Sequence, residues 1–577
     1  MTYHEEYHRW LDSGALTEAE EKELLSIAGD DKELEARFYG PLEFGTAGLR
    51  GVMGIGLNRM NLHVIRHVTQ AFAEVILEEG PEGAKKGIAV CFDCRHNSAE
   101  FAREAACVMA ANGVQVRLFA DMRPTPELSF AVRQYGCIAG INITASHNPK
   151  EYNGYKVYWS DGAQLPPHKA QAIAEKMEQI DLFLGVKYME YADAVEQGRI
   201  TLLGAETDSA FIEQVMEQAI NREAVQKADA EGMTIVFTPF HGTGYRLIPE
   251  VIHRLGLHHL LCVEEQMVID GDFPTVKSPN PEETEGFGLA IALAKKHNAA
   301  LIIGSDPDAD RVGILAQDKS GEYRPLTGNQ TGVLLLDYIL SQRSVAHTLP
   351  QNAAVLKSIV TTDMAKAVAA SYGVPCFDTF TGFKFMAEKK GQLEQAGTHK
   401  VVFSYEESYG YMVGDYVRDK DAVTASLLLA EMAAYYTTKH MTLFDALQAL
   451  YETHGMYGEK TLNLVMPGLD GLQKMKRLME KLRKEPPKEI AGATVTHVKD
   501  YQTGIDREVS TGIETEMELK GSNVLRYELE DGTSFIVRPS GTEPKVKVYI
   551  LTKAQSREAC ENNISRYSAY AQTLKQV

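Results

Sequence analysis

Long apolar runs are missing from this chain, and their absence narrows the possibilities first. Stretches such as Thr331 to Leu340 are interrupted, in that case by Asp337, so none reaches the roughly 20 apolar residues that cross a bilayer. The opening MTYHEEYHRWLDSGALTEAEEKE has no apolar core of the kind a signal peptide needs. A cytoplasmic protein is expected. Basic charge is also short: 59 Lys and Arg stand against 79 Asp and Glu, a formal net charge of -20. So acidic a surface draws neither nucleic acid nor an anionic membrane at physiological salt, and neither is expected as a partner. An anionic substrate has to meet Arg and Lys concentrated locally. Cysteine is sparse, odd in number and scattered, seven in 577 residues, which is no disulfide framework and fits a reducing compartment. Cys91 and Cys94 form a CxxC with no second pair at zinc spacing, so they read as core thiols at a strand end. Neither a low-complexity tract nor a short-period repeat occurs.

What is present is an ordinary globular composition, 44% apolar and 24% charged, on a chain too long for one core. Three or four domains follow. Thr17 and Glu20 form a capping box ahead of Leu24, Leu25 and Ala28 at helical spacing, so the chain opens with helix. From about residue 87 short apolar runs alternate with amphipathic segments of helical length, the pattern of βαβ units with a mostly parallel sheet. An α/β protein is predicted. Pro166-Pro167 and the three-proline stretch Asp270 to Glu285 predict surface loops or linkers.

Four apolar runs end in polar loops marked by Gly or Pro. They are Cys137–Ile143 before TASHNP, Ala299–Ile303 before GSDPDADR, Lys400–Phe403 before SYEESYG, and Phe535–Val537 before RPSGTEP. Ligands of open α/β sheets sit outside the carboxyl ends of strands, so these loops predict four domains facing one cleft.

Asp306, Asp308 and Asp310 alternate directly after a strand, so in an extended loop the three carboxylates converge on one cation. Without a cation they repel one another. An EF-hand needs Gly and Glu where Arg311 and Gln317 stand, which leaves Mg²⁺ or Mn²⁺. Ser146, in TASHNP, reads alone as a turn or cap residue as readily as a nucleophile, and its setting is not the GxSxG of a hydrolase. Arg538 to Thr542 combines a guanidinium fork, hydroxyls and Gly541, a set that suits a phosphate or an ordinary turn, with Lys545 and Lys547 nearby. Glu406, Glu407 and Ser408 offer acceptors and a hydroxyl for sugar hydroxyls, or a helix cap. The glycine-rich loop Gly45 to Gly51 suits an anion weakly, and His241 to Gly244 reads as a strand-to-helix turn.

Taken together and in order, FGTAGLRG, TASHNPKEYNGYK, DPDADR, TGFK, YEESYG and RPSGTEPK resemble the α-D-phosphohexomutase family, in its long phosphoglucomutase/phosphopentomutase branch. The likeness runs from about Phe44 to Leu551. It implies four domains around a central cleft: three α/β/α sandwiches with mixed sheets and a smaller C-terminal α+β domain. The expected limits are 1–208, 209–326, 327–455 and 456–577.

By motif position the resemblance makes Ser146 the phosphorylated residue, and Asp306, Asp308, Asp310 and a phosphoserine oxygen the ligands of one Mg²⁺. Arg50 and Lys156 flank the transferring group, with Lys156 or His147 as general acid/base. Glu406, Ser408 and Lys420 match sugar-side residues, Lys384 one close to the metal side, and Arg538, Ser540, Gly541 and Thr542 the loop for the phosphate not in transfer. The implied reaction interconverts glucose 1-phosphate and glucose 6-phosphate through glucose 1,6-bisphosphate, which also serves as activator. YEESYG departs from the GEESGH of many bacterial phosphomannomutases and moves the expectation towards glucose. Phosphopentomutase, phosphomannomutase, glucose 1,6-bisphosphate synthase and a non-catalytic sugar-phosphate binder stay open, as does monomer or homodimer. A haloacid-type phosphatase is disfavoured because no Thr or Val ends a DxDx[TV] motif after Asp308.

Overall fold

The computed structural model describes residues 1–45, 48–466, 471–540 and 545–576. The first sheet has the order Leu49–Val52, Tyr152–Trp159, Ala139–Ile143, Ile88–Phe92, Val116–Phe119, Ile200–Leu203. From Ala139–Ile143 onward its strands are parallel, whereas Tyr152–Trp159 runs antiparallel to both neighbours. In Ile88–Phe92 the period of two is visible in the packing. Ile88, Val90 and Phe92 join the core under helices Leu62–Glu78 and Ser98–Ala111, and Ala89 and Cys91 face Leu128, Ala131 and Val132 of helix Thr125–Gln134. Buried on both faces, the strand is apolar throughout.

The second sheet, Tyr323–Leu326, Val312–Gln317, Leu301–Ser305, Ile235–Thr238 and Leu260–Cys262, and the third, Cys376–Thr379, Ala353–Ser358, Lys400–Glu406 and Gly410–Met412, are mixed in the same way. One continuous core spans both, with the almost wholly buried helix Ala422–Thr437 in its middle. The fourth sheet is antiparallel throughout, its eight strands lying between Met456 and Ala554, with helices Gly471–Lys484 and Arg557–Thr573. Three α/β/α units and a C-terminal α+β unit result. Among the described residues no helix is long and apolar enough to cross a membrane.

One device recurs in the first three units. A central parallel strand ends in a short polar loop, and the chain returns as an antiparallel neighbour: Ala139–Ile143 with Tyr152–Trp159, Leu301–Ser305 with Val312–Gln317, Lys400–Glu406 with Gly410–Met412. Each loop is pinched by one non-glycine residue in the left-handed region, Ser146 at φ 53°, Ala309 at 49° and Tyr409 at 66°. Such residues cost on the order of 1–3 kcal/mol each and persist only where the surroundings hold them.

Two expectations need correcting. Pro166-Pro167 is not a linker: Pro166 caps and Pro167 opens helix Pro167–Gln179, where a missing N–H costs nothing and φ is already set. Glu406 and Arg538 lie in strands, not loops, because the ladders run on through Lys400–Glu406 and Ser534–Pro539.

Candidate active site

Ser146 stands at the carboxyl end of Ala139–Ile143, 4% exposed, its N–H bonded to Thr144 Oγ1 at 2.9 Å. Its Oγ donates to Asp306 Oδ2 at 2.9 Å and lies 3.3 Å from His147 Nδ1. Two units therefore meet at the serine. Its loop is held from below by Arg95, which donates to the carbonyls of Ser146 at 2.7 Å, Pro149 at 2.8 Å and Tyr152 at 3.0 Å, and to that of Asn148. Arg95 is itself buried, 3.3 Å from Asp93 and with the Phe273 ring at 5.2 Å. Arg50, on the edge strand Leu49–Val52, donates to Asn148 Oδ1 at 3.0 Å. The preceding Gly48 has φ 89° and no room for a side chain, since a Cβ there would lie 1.8 Å from Tyr155 O.

Asp306, Asp308 and Asp310 are buried, and each offers an oxygen within 4.8 Å of the others. Asp306 Oδ1 accepts the N–H groups of Asp310 at 3.1 Å and Arg311 at 2.9 Å. Asp308 Oδ2 accepts from Thr125 Oγ1 at 2.9 Å and Lys156 Nζ at 2.8 Å. Asp308 Oδ1 and Asp310 Oδ1 are buried without a hydrogen-bond partner, which is what carboxylates shaped for a cation leave behind. Hard oxygen donors in this number fit Mg²⁺ or Mn²⁺. The loop is braced by Gly242 and Thr243: Thr243 gives its N–H and Oγ1 to Pro307 O at 2.8 and 2.9 Å, and a Cβ on Gly242 would lie 2.4 Å from Pro307 Cα.

The charges set each other. Burial and the two neighbouring aspartates push the Asp306 carboxyl well above the usual range. Against the opposing effect of burial, Lys156 holds Asp308 well below it, and Asp308 and Asp310 hold Lys156 above its ordinary value. Burial, with Arg311 and Arg50 nearby, holds the His147 imidazole well below its ordinary value.

The third unit closes against this loop through Arg311, which pairs with Gly410 as an isolated bridge and donates to Ser408 O at 3.2 Å. Lys420 Nζ reaches Asp310 Oδ2 at 3.1 Å. Glu406 accepts the Gly382 N–H at 2.5 Å, and burial with Glu407 beside it pushes its carboxyl up to about 7. Lys384 and Arg538 line one cavity of ≈ 290 Å³ together with Gln164, Phe380 and Thr381. Arg538 donates to Tyr549 Oη at 3.4 Å, and the Ser540 N–H to Lys545 O at 2.8 Å. Gly541 and Thr542 lie outside the described residues.

Models of the phosphoglucomutase/phosphomannomutase family match the chain domain by domain: α/β/α domain I at residues 41–183, II at 209–321, III at 327–454 and the C-terminal domain at 474–560. The chain belongs to the phosphoglucomutase/phosphomannomutase family. It is similar to the phosphoglucomutase of Staphylococcus haemolyticus, 35% identical over 92% of this chain and 94% of that one, and to that of Staphylococcus aureus, 36% identical over 89% and 90%. In fold it is similar to the open form of Paramecium parafusin, a phosphoglucomutase, with a TM-score of 0.66, 20% identity, and 93% and 96% of the two chains covered.

Within this family fold the structure brings Ser146, His147, Lys156, the three aspartates and Lys420 into one cluster, and sets Lys384 and Arg538 in a cavity wall. The resemblance implied a metal-side place for Lys384, but among the described residues no hydrogen bond or ion pair joins it to the aspartates. Its ammonium lies over the Phe385 ring at 4.8 Å. Sequence reasoning passed over Arg95, Thr125 and Arg311 as working residues. Arg95 left one trace, a charged pair with Asp93 immediately after an apolar strand.

Proposed function

We propose that the chain interconverts glucose 1-phosphate and glucose 6-phosphate through phosphorylated Ser146 and glucose 1,6-bisphosphate. The observation that carries this reading is the Ser146 hydroxyl held 2.9 Å from a buried aspartate cluster with Lys156 beside it. Phosphoryl transfer asks for positioning and charge neutralisation more than for covalent chemistry. The phosphoryl group leaves Ser146 Oγ for the free C6 hydroxyl of glucose 1-phosphate, and the hydroxyl proton passes to a neighbouring group. The bisphosphate turns round, Ser146 takes back the other phosphoryl group, and glucose 6-phosphate departs. Glucose 1,6-bisphosphate also phosphorylates a bare Ser146, which makes it the activator.

Asp306, Asp308, Asp310 and an oxygen of phosphorylated Ser146 would hold Mg²⁺, which supplies charge neutralisation for the group in transfer. Arg50 and Lys156 flank the group in transfer, and Arg50 adds fixed positive charge there. Lys156 and His147 are the two groups offered for the proton, and pH–rate profiles of Lys156→Ala and His147→Ala separate them. Glu406, Ser408 and Lys420 bind the sugar, and Arg538, Ser540, Gly541 and Thr542 hold the far phosphate, with Lys384 on the wall of the cavity that Arg538 lines. On this reading the domains run 1–208, 209–326, 327–455 and 456–577, one loop from each. The full set of nucleophile, aspartates and basic residues speaks for an enzyme over a mere sugar-phosphate binder.

Relatives named phosphoglucomutase at 35% and 36% identity favour glucose over pentose or mannose. Turnover measured side by side on glucose 1-phosphate, mannose 1-phosphate and ribose 1-phosphate tests this. The highest kcat/KM is expected for glucose 1-phosphate, and a preference for ribose 1-phosphate would contradict the assignment.

A further inference from the structure

Lys420 does not stand alone on Asp310. Asp419, 1% exposed, accepts the Lys420 ammonium at 3.0 Å and the Lys420 N–H at 2.8 Å on Oδ1. Its Oδ2 accepts Tyr158 Oη at 2.9 Å and Gln164 Nε2 at 3.0 Å. Four donors on two oxygens leave this carboxylate one orientation. Tyr158 belongs to the same strand as Lys156, two residues on, so both side chains leave the same face. Lys156 lies 3.6 Å from Asp310 Oδ2, the oxygen that Lys420 reaches at 3.1 Å. The contacts close a ring: Lys156, Asp310, Lys420, Asp419, Tyr158 and back along one strand to Lys156. The Lys420 stem is held between the Phe383 ring, 5.3 Å from Nζ, and Gly410, where a Cβ would lie 2.4 Å from Lys420 Cδ.

We propose that Asp419 is a positioning residue for phosphoryl transfer, fixing the Lys420 ammonium on the Asp310 side of the cleft and tying the third unit to the strand that carries Lys156. The proposal rests on the mutase reading above. Without Asp419, Asp310 is the one carboxylate among the described residues still paired with the ammonium, and the long stem gains rotamers. Gln164 extends the ring to the cavity that Lys384 and Arg538 line. A group binding there meets a wall already fastened to the aspartate loop.

A double-mutant cycle with a structural arm tests this. Asp419→Ala should lower kcat/KM by about 10²-fold, the cost of a misplacement near 1 Å. Lys420→Ala should do the same, and the double variant should fall no more than about threefold below either single one, because Asp419 acts through Lys420. A double variant near the product of the two losses, or an Asp419→Ala enzyme with wild-type kcat/KM, overturns the proposal. If Asp419→Ala does not fold, Asp419→Asn, which keeps the shape and loses the charge, is read in the same cycle. The crystal structure of the variant needs no turnover and so stands apart from the substrate assignment. Lys420 Nζ should leave Asp310 Oδ2 by about 1 Å or more, and an unmoved ammonium contradicts the proposal whatever the enzyme acts on.

Discussion

The two ends of the proposed substrate meet opposite kinds of site. Around Ser146 the groups are buried and committed: Asp306 takes the serine hydroxyl and two backbone N–H groups, Asp308 takes Lys156 and Thr125, and Arg95 holds the loop by four carbonyls. Around Arg538 the side chain is half-buried, touches Tyr549 Oη at 3.4 Å and faces a ≈ 290 Å³ cavity. The reacting end is built for fixed geometry, where oriented charge in a dry site is worth most. On the proposed reading the far end holds a phosphate and lets it go, as a bisphosphate that must turn round requires.

If that contrast is sound, damage to the first region lowers turnover and damage to the second weakens binding. Lys156→Ala should cut kcat by about 10²–10³-fold in steady-state assays, with KM moved only a few-fold. A near-normal kcat would break the contrast. Arg538→Ala should raise KM for glucose 1-phosphate by about 10- to 100-fold, the worth of one charged hydrogen bond, with kcat changed far less. A kcat loss as deep as that of Lys156→Ala would make the two regions one.

The smallest effect is expected in between, at Glu406. Burial and Glu407 push its carboxyl up to about 7, so the ionised form, the better acceptor for sugar hydroxyls, gains as pH rises from 6 to 8. KM should fall several-fold over that range, and Glu406→Gln should flatten the profile. A profile unchanged by the substitution would assign the pH dependence elsewhere.

What the sequence made legible follows the range of the interactions. Asp306, Asp308 and Asp310 could be read as a cation site from their close spacing after an apolar run, although the segment that gathers them is a turn pinched at Ala309 and not the extended loop that the alternation suggested. Ser146 could not be told from a turn residue by its own setting, and stood out only through the order of all six motifs. Asp419 was not legible, and Arg95 barely so, because the contacts that give them their roles include partners far along the chain, 261 residues for Tyr158 with Asp419 and 53 for Arg95 with Asn148. The parallel strands were legible as apolar runs. Antiparallel returns such as Tyr152–Trp159 were not, because strand direction is fixed by the connecting loop and not by side-chain period. Pro166-Pro167 misled for a related reason, since proline marks a loop and a helix's first turn alike.

The central claim is that Ser146 carries the phosphoryl group, and intact-mass analysis with peptide mapping tests it most directly. The account predicts one phosphate on Ser146, lost to the sugar on incubation with glucose 1-phosphate or glucose 6-phosphate, and absent from Ser146→Ala, whose turnover falls by at least about 10⁴-fold. A protein that never holds phosphate at residue 146, or one that turns over fully after Ser146→Ala or thorough chelation, would contradict it.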